Sequence, residues 1–275
     1  MIQLLTVLCP CLYLGLALLH AADFGSAGSL RHKTMERVVL GGALLAQVGL
    51  LASRFQEAGG VPALGGFVSL SALSLTVALM HVSLGNRSGE NASGGTGMVV
   101  FGMVFGLQLL SSGFAPLDAG VPSDRPGAFY LLHVASILVA SSALILSGAH
   151  GVLYLLLFRH MRKRQFGRWL DGLPSLGELA RRMRRAAGIA FCFLAVGING
   201  GIWWAHRANV QGFTYSDPLV IVLLVLTLHF GLVSFSRAIP GLTARRTATG
   251  AVGGMLLLLV SLAYSLVPGG FHWTS

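Results

Sequence analysis

Charge is scarce in this chain: Asp, Glu, Lys and Arg make up only 10% of its 275 residues, where a soluble domain carries about 25%. With 54% hydrophobic residues and a mean hydropathy of +0.75, the polar surface needed to cover a water-soluble globule is missing. Cysteine is scarce too. Cys9, Cys11 and Cys192 exclude a disulfide framework, and Cys9 and Cys11, flanking Pro10, read as small apolar packing residues. The chain also lacks H-E-x-x-H, a Walker loop, G-x-S-x-G and paired intramembrane carboxylates, which leaves no metallopeptidase, nucleotide hydrolase or serine hydrolase motif to build on.

What is present is a series of long apolar runs. A membrane helix needs ~20 predominantly apolar residues, and eight segments qualify, at 2–20, 37–55, 63–85, 97–116, 127–159, 186–205, 218–236 and 247–267. The fold expected is therefore all-α, a polytopic integral membrane protein of eight transmembrane helices, with no connection long enough for a soluble domain. The first run has neither a basic leading segment nor a small-residue cleavage site, and reads as a retained span rather than a signal peptide.

The net charge of +10 comes from a topological bias. When the loops are numbered from a chain start placed outside, 16 of the 19 Lys and Arg fall in the odd loops, leaving Arg54, Arg125 and Arg207 in the even ones. Basic loops stay cytoplasmic, so both termini are expected outside. The excess is not a nucleic-acid footprint.

Residues 1–126 read as a four-helix scaffold, in which Gly41, Gly42, Gly65, Gly66, Gly102 and Gly106 suit close helix packing. The region 127–275 carries the unusual features. Its first segment, 33 residues long, would rise ~50 Å against a ~30 Å hydrocarbon core, so one end must stand clear of it. In the basic loop that follows, LPSLGELARRM predicts a short interfacial helix capped by Ser175, with Glu178 at capping-box spacing.

The stretch 200–218, GGIWWAHRANVQGFTYSDP, concentrates Trp203, Trp204, Phe213 and Tyr215 where a plain linker would serve. Asp217 before Pro218 predicts the N-cap of the next helix. The nine histidines sort by depth. His133, His206 and His272 are outer. His229 lies ~16 Å down its helix, near the bilayer middle. His20, His81 and His150 approach the inner side, and His32 and His160 are cytoplasmic. Imidazole inside a bilayer is expensive and points to function. Two neutral imidazoles on opposite faces of a macrocycle are one way to hold haem iron, with aromatic side chains packed on the porphyrin. For each ring taken singly, a hydrogen-bonded interfacial histidine is the competing reading. Gln47, at a depth comparable to His229, would ligate iron poorly.

From about Phe129 onward the chain resembles the cytochrome c assembly proteins, the haem handlers of the CcsA and CcmC type, and most closely their HemX- and YpjD-like branch. The shared features are FYLLHVAS at the start of a long helix, LPSL in a basic loop, Gly-x-x-Trp-Trp-Ala, an aromatic loop ending in Asp-Pro, LTLHFGL, GLTARR and a last span ending GGFHW. The resemblance implies that the loop 200–218 presents haem b at the outer face, flanked by His133 and His272 as iron ligands. His229 would serve a second or transit site. In this sequence Phe213 and Tyr215 stand where fuller members have tryptophan, and Leu219 where they have lysine, a departure that favours the smaller branch.

The expectation is thus a haem-handling protein of the bacterial inner membrane, working with cytochrome c maturation subunits and apocytochrome c and forming no thioether bond itself. Two alternatives stay open: a membrane regulator of haem biosynthesis acting through the basic loop, and a b-type electron-transfer subunit.

Overall fold

The computed structural model describes residues 2–25, 30–57, 66–86, 94–114, 128–164, 173–207 and 214–265. All their regular structure is helical: α1 (Ile2–Gly25), α2 (Leu30–Glu57), α3 (Gly66–Asn86), α4 (Gly94–Phe114), α5 (Ala128–Arg162), α6 (Leu176–Arg207), α7 (Pro218–Ser234) and α8 (Ala244–Ser265). Seven are long and apolar enough to cross a membrane, while α7 is apolar but has only 17 residues. The outer surface confirms the solvent. Leu4, Leu45 and Leu228 are at least 70% exposed, which suits lipid and not water. The chain is a multi-pass helical membrane protein.

α1 and α4 pack together along much of their lengths, and α2 and α3 complete an N-terminal group. At its centre five polar side chains form a buried knot. The Tyr13 hydroxyl donates to Gln47 Oε1, and Gln47 Nε2 donates to Ser71 O at 2.8 Å and to Gln108 Oε1 at 2.7 Å. Ser71 Oγ and Ser74 Oγ donate to the same Gln108 oxygen, at 3.0 and 2.9 Å. In hydrocarbon, unpaired amides are costly, so these bonds tie α1, α2, α3 and α4 in one register. Gln47 is spent on this knot.

The glycines expected to bring these helices close do not do so. A Cβ at Gly41, Gly42, Gly102 or Gly106 would meet nothing within 4 Å. Close approach occurs at other glycines: a Cβ on Gly97 of α4 would fall on the His20 ring of α1, and one on Gly151 of α5 would stand 3.0 Å from the Ala248 carbonyl oxygen of α8. Gly65 and the side of α3 at Gly66 lie outside the described residues.

α5 and α6 form the most extensive helix pair, and α3 against α5 is the main seam joining the N-terminal group to the rest. The separate interfacial helix expected at 173–183 does not exist. Ser175 does cap the segment, its Oγ accepting from Glu178 N at 3.2 Å, but the helix then runs unbroken from Leu176 to Arg207. The physical reason is its second face. Leu179, Met183, Ala186, Ala187 and Ala190 are all buried, so the arginine-rich turns already pack on the bundle and α6 continues as one rod. The Glu178 carboxylate does not close a capping box; it takes Arg182 Nε at 2.7 Å and pairs with Arg181.

Candidate functional site at the aromatic end

α5 begins, α6 ends and α7 begins at the same end of the bundle, and side chains from these three termini build the site. In the first turn of α5, Phe129 meets Trp203 of α6 edge-on with ring centroids 3.9 Å apart, and Tyr130 meets Trp204 at 5.0 Å. Such aromatic pairs contribute about 1 kcal/mol each beyond their buried area. The Arg207 guanidinium lies 5.0 Å over the Trp203 ring, a cation–π contact. The paired tryptophans thus clamp the start of α5 against the end of α6.

One turn deeper, His133 is held between them. Its Nδ1 lies 2.7 Å from the Gly197 carbonyl oxygen. A carbonyl only accepts, so Nδ1 carries the proton and Nε2 is left as a lone-pair donor. A ring N–H donated to a backbone carbonyl in this way fixes the orientation that a metal-binding imidazole needs. The ring fits because α6 presents glycine there: a Cβ on Gly201 would stand 2.5 Å from His133 Nδ1, while one on Gly200 would make only ordinary contact at 3.8 Å.

On the α7 side, the His206 ring nitrogen Nε2 and the Tyr215 hydroxyl are 2.7 Å apart, both exposed. Asp217 is the N-cap expected, Oδ1 accepting from Leu219 N at 2.7 Å ahead of Pro218. Phe213 and His272 lie outside the described residues. The structure therefore brings His133, Trp203, Trp204, Tyr215 and Asp217 to one end.

His229 is apart from them. α7 runs from Pro218 to Ser234, so His229 sits in its final third. Its Nε2 donates to Gly250 O of α8 at 2.8 Å, which fixes the opposite tautomer and leaves Nδ1 with the lone pair. Gly250 and Gly254 make room for it: a Cβ on Gly254 would stand 3.0 Å from His229 Cδ2 and closer still to Phe230.

Sequence reasoning placed His20, His81 and His150 at similar depth without joining them. The structure gathers His20 of α1 and His81 of α3 around Phe101 of α4, and His81 shares a cleft with His150 of α5. His20 stacks on that ring at 5.2 Å and His81 meets it edge-on at 5.4 Å, while His20 Nε2 lies 3.4 Å from a Glu36 oxygen. Phe101, an unremarkable apolar residue in the sequence, is the hinge of this cluster. Among the described residues no three His, Cys, Asp or Glu side chains are close enough to hold a metal ion.

A helical membrane protein with a tryptophan-clamped histidine at one end and a glycine-bedded histidine within defines a class before it defines a family. The family model of the cytochrome c assembly protein matches residues 62–272, and the chain belongs to that family. The match starts at the head of α3, upstream of the resemblance read from the sequence. Among curated relatives, the chain is 26% identical over 145 residues to the cytochrome c biogenesis protein CcsA of Chlamydomonas reinhardtii, covering 52% of this chain and 39% of that one. It is 21% identical over 182 residues to protein HemX of Bacillus subtilis (strain 168), covering 65% of this chain and 66% of that one. The chain thus spans less than two thirds of the length of each.

Proposed function

We propose that this protein handles haem b during c-type cytochrome biogenesis, holding it at the aromatic end through His133 and His272. The observation that carries the reading is the state of His133: one ring nitrogen tied to a backbone carbonyl at 2.7 Å, the other left with its lone pair, and the ring bedded on glycine beside two aromatic pairs. His133 would hold haem iron and the aromatic pairs would wall the macrocycle. Family membership supports the biogenesis role, and the CcsA relative is itself named for cytochrome c biogenesis.

The finer topology is part of the same proposal. The arginine-rich ends of α5, α6 and α8 face the cytoplasm, α7 is the eighth crossing, both termini lie outside, and the membrane is the bacterial cytoplasmic membrane. His229, with Nδ1 unprotonated, serves a second or transit site. Trp203 and Trp204 hold α5 and α6 together and line the outer site with Phe213 and Tyr215. Asp217 fixes where α7 begins. When bound, haem supplies an iron centre for the imidazole lone pairs; the protein's own residues orient, enclose and release it, and maturation subunits and apocytochrome c receive it. Purified protein should show a Soret band that sharpens with dithionite. The double variant His133→Ala with His272→Ala should lose most of that band, and an unchanged spectrum would refute the outer site.

A further inference from the structure

At the arginine-rich end of the bundle a cleft opens between three helices. Its walls are His81, Leu84 and Gly85 of α3, His150 of α5, and Arg182 and Arg185 of α6. Its enclosed part is about 30 Å³, enough for one small polar group and far below the several hundred Å³ of an ordinary ligand pocket. Haem does not fit in it.

The donors and acceptors on these walls restrict what does. His81 and His150 are 8% and 5% exposed. His150 Nδ1 donates to Leu146 O at 2.6 Å, so its Nε2 is an acceptor. The His81 ring touches Phe101 edge-on, and neither of its nitrogens has a hydrogen-bond partner among the described residues. From α6, Arg182 is shared with Glu178. Arg185 is exposed and makes no ion pair among the described residues. Two guanidinium groups repel a bare metal cation. An acceptor nitrogen, in turn, is not satisfied by a simple oxyanion. A phosphate that also carries hydroxyl groups satisfies both sets: its oxygens accept from the arginines and its hydroxyls donate to the imidazoles.

We propose that this cleft binds the headgroup of an anionic phospholipid bearing free hydroxyls, of the phosphatidylglycerol kind. The phosphate lies at Arg182 and Arg185, and a terminal hydroxyl reaches His150 and His81. The position favours a lipid as the source. Arg185 is exposed at the end where the basic residues cluster, the level at which basic pockets between membrane helices meet anionic headgroups. Because its walls come from both sides of the α3–α5 seam, the bound headgroup bridges the N-terminal group to α5 and α6.

The test is native mass spectrometry and thermal unfolding of the full chain titrated with phosphatidylglycerol, phosphatidylserine, phosphatidylcholine and free glycerol phosphate. Phosphatidylglycerol should stay bound and raise the unfolding temperature most. Arg185→Gln, at an exposed position that should fold normally, should weaken it about tenfold, one charge-assisted hydrogen bond. His150→Phe should erase the preference for phosphatidylglycerol over phosphatidylserine while leaving the charge-driven part. Arg245→Gln, on the same face at the start of α8, should change nothing. Equal responses to phosphatidylglycerol and phosphatidylserine, or an Arg185→Gln response matching the parent, would overturn the proposal. Free glycerol phosphate binding as tightly as the lipid would overturn the lipid source.

Discussion

His133 lies so close to Gly201 that a methyl group at position 201 would stand 2.5 Å from its Nδ1. The imidazole has no alternative bed, because the same nitrogen is bonded to Gly197 O. Gly201→Ala should therefore push the ring off its carbonyl partner and lower haem content about tenfold or more, the usual cost of losing the group that orients a ligating histidine. Gly200→Ala, whose Cβ would make ordinary contact at 3.8 Å, should keep its haem. Soret absorbance per protein in the two variants checks this, and equal losses would separate His133 from the role given to it.

The bed of His229 makes a parallel case. Gly254→Ala should displace Phe230 and His229 and cost about 1 to 3 kcal/mol by overpacking. Gly253→Ala, with nothing within 4 Å of its Cβ, should be silent. Thermal unfolding in detergent distinguishes them.

The amide knot of the N-terminal group should behave as a unit. Gln47→Leu strands Gln108, Ser71 and Tyr13 and should destabilise the protein by about 2 kcal/mol. Ser112→Ala, which removes only the 3.2 Å bond from Gln108 Nε2 at the edge of the knot, should cost less than about 1 kcal/mol. Unfolding midpoints of the two variants provide the comparison.

Asp217 acts at the start of α7 and should be replaceable by another capping residue. Asp217→Ala should cost about 1 kcal/mol and speed hydrogen exchange at the Leu219 amide, whereas Asp217→Asn should hardly change either. If Asp217→Asn abolished haem binding with exchange unaltered, the carboxylate would have a role beyond capping.

Hydropathy made the helices legible because length and apolar content are local properties: all eight runs became helices. Asp217 and Ser175 were legible as caps for the same reason. The end of the α5–α6 pair could be foreseen as a histidine beside paired tryptophans. Their partners could not, since Phe129 against Trp203 and His133 against Gly197 depend on how two helices are rotated about their axes. The glycines show this most clearly. Composition pointed to Gly41, Gly42, Gly102 and Gly106, where a Cβ would meet nothing within 4 Å, whereas glycines that admit a neighbour include Gly151 against α8 and those beside His133 and His229. The interfacial helix expected at 173–183 failed for a related reason: its arginines were visible in the sequence, but the surface that buries Met183 and Ala187 was not. Nor does depth along the chain reveal that Phe101 joins His20 to His81.

The brevity of α7 has a consequence for the membrane around it. Seventeen residues rise ~25 Å, several ångströms less than a ~30 Å hydrocarbon core. On the eight-span topology, the leaflet beside α7 must thin, or the turns at 235–241 must dip toward the midplane. Either adjustment draws the headgroup boundary inward along the end of α7 that carries His229. On that topology the imidazole, about one and a half turns from the end of α7, lies nearer the headgroup boundary than a full-length span would place it.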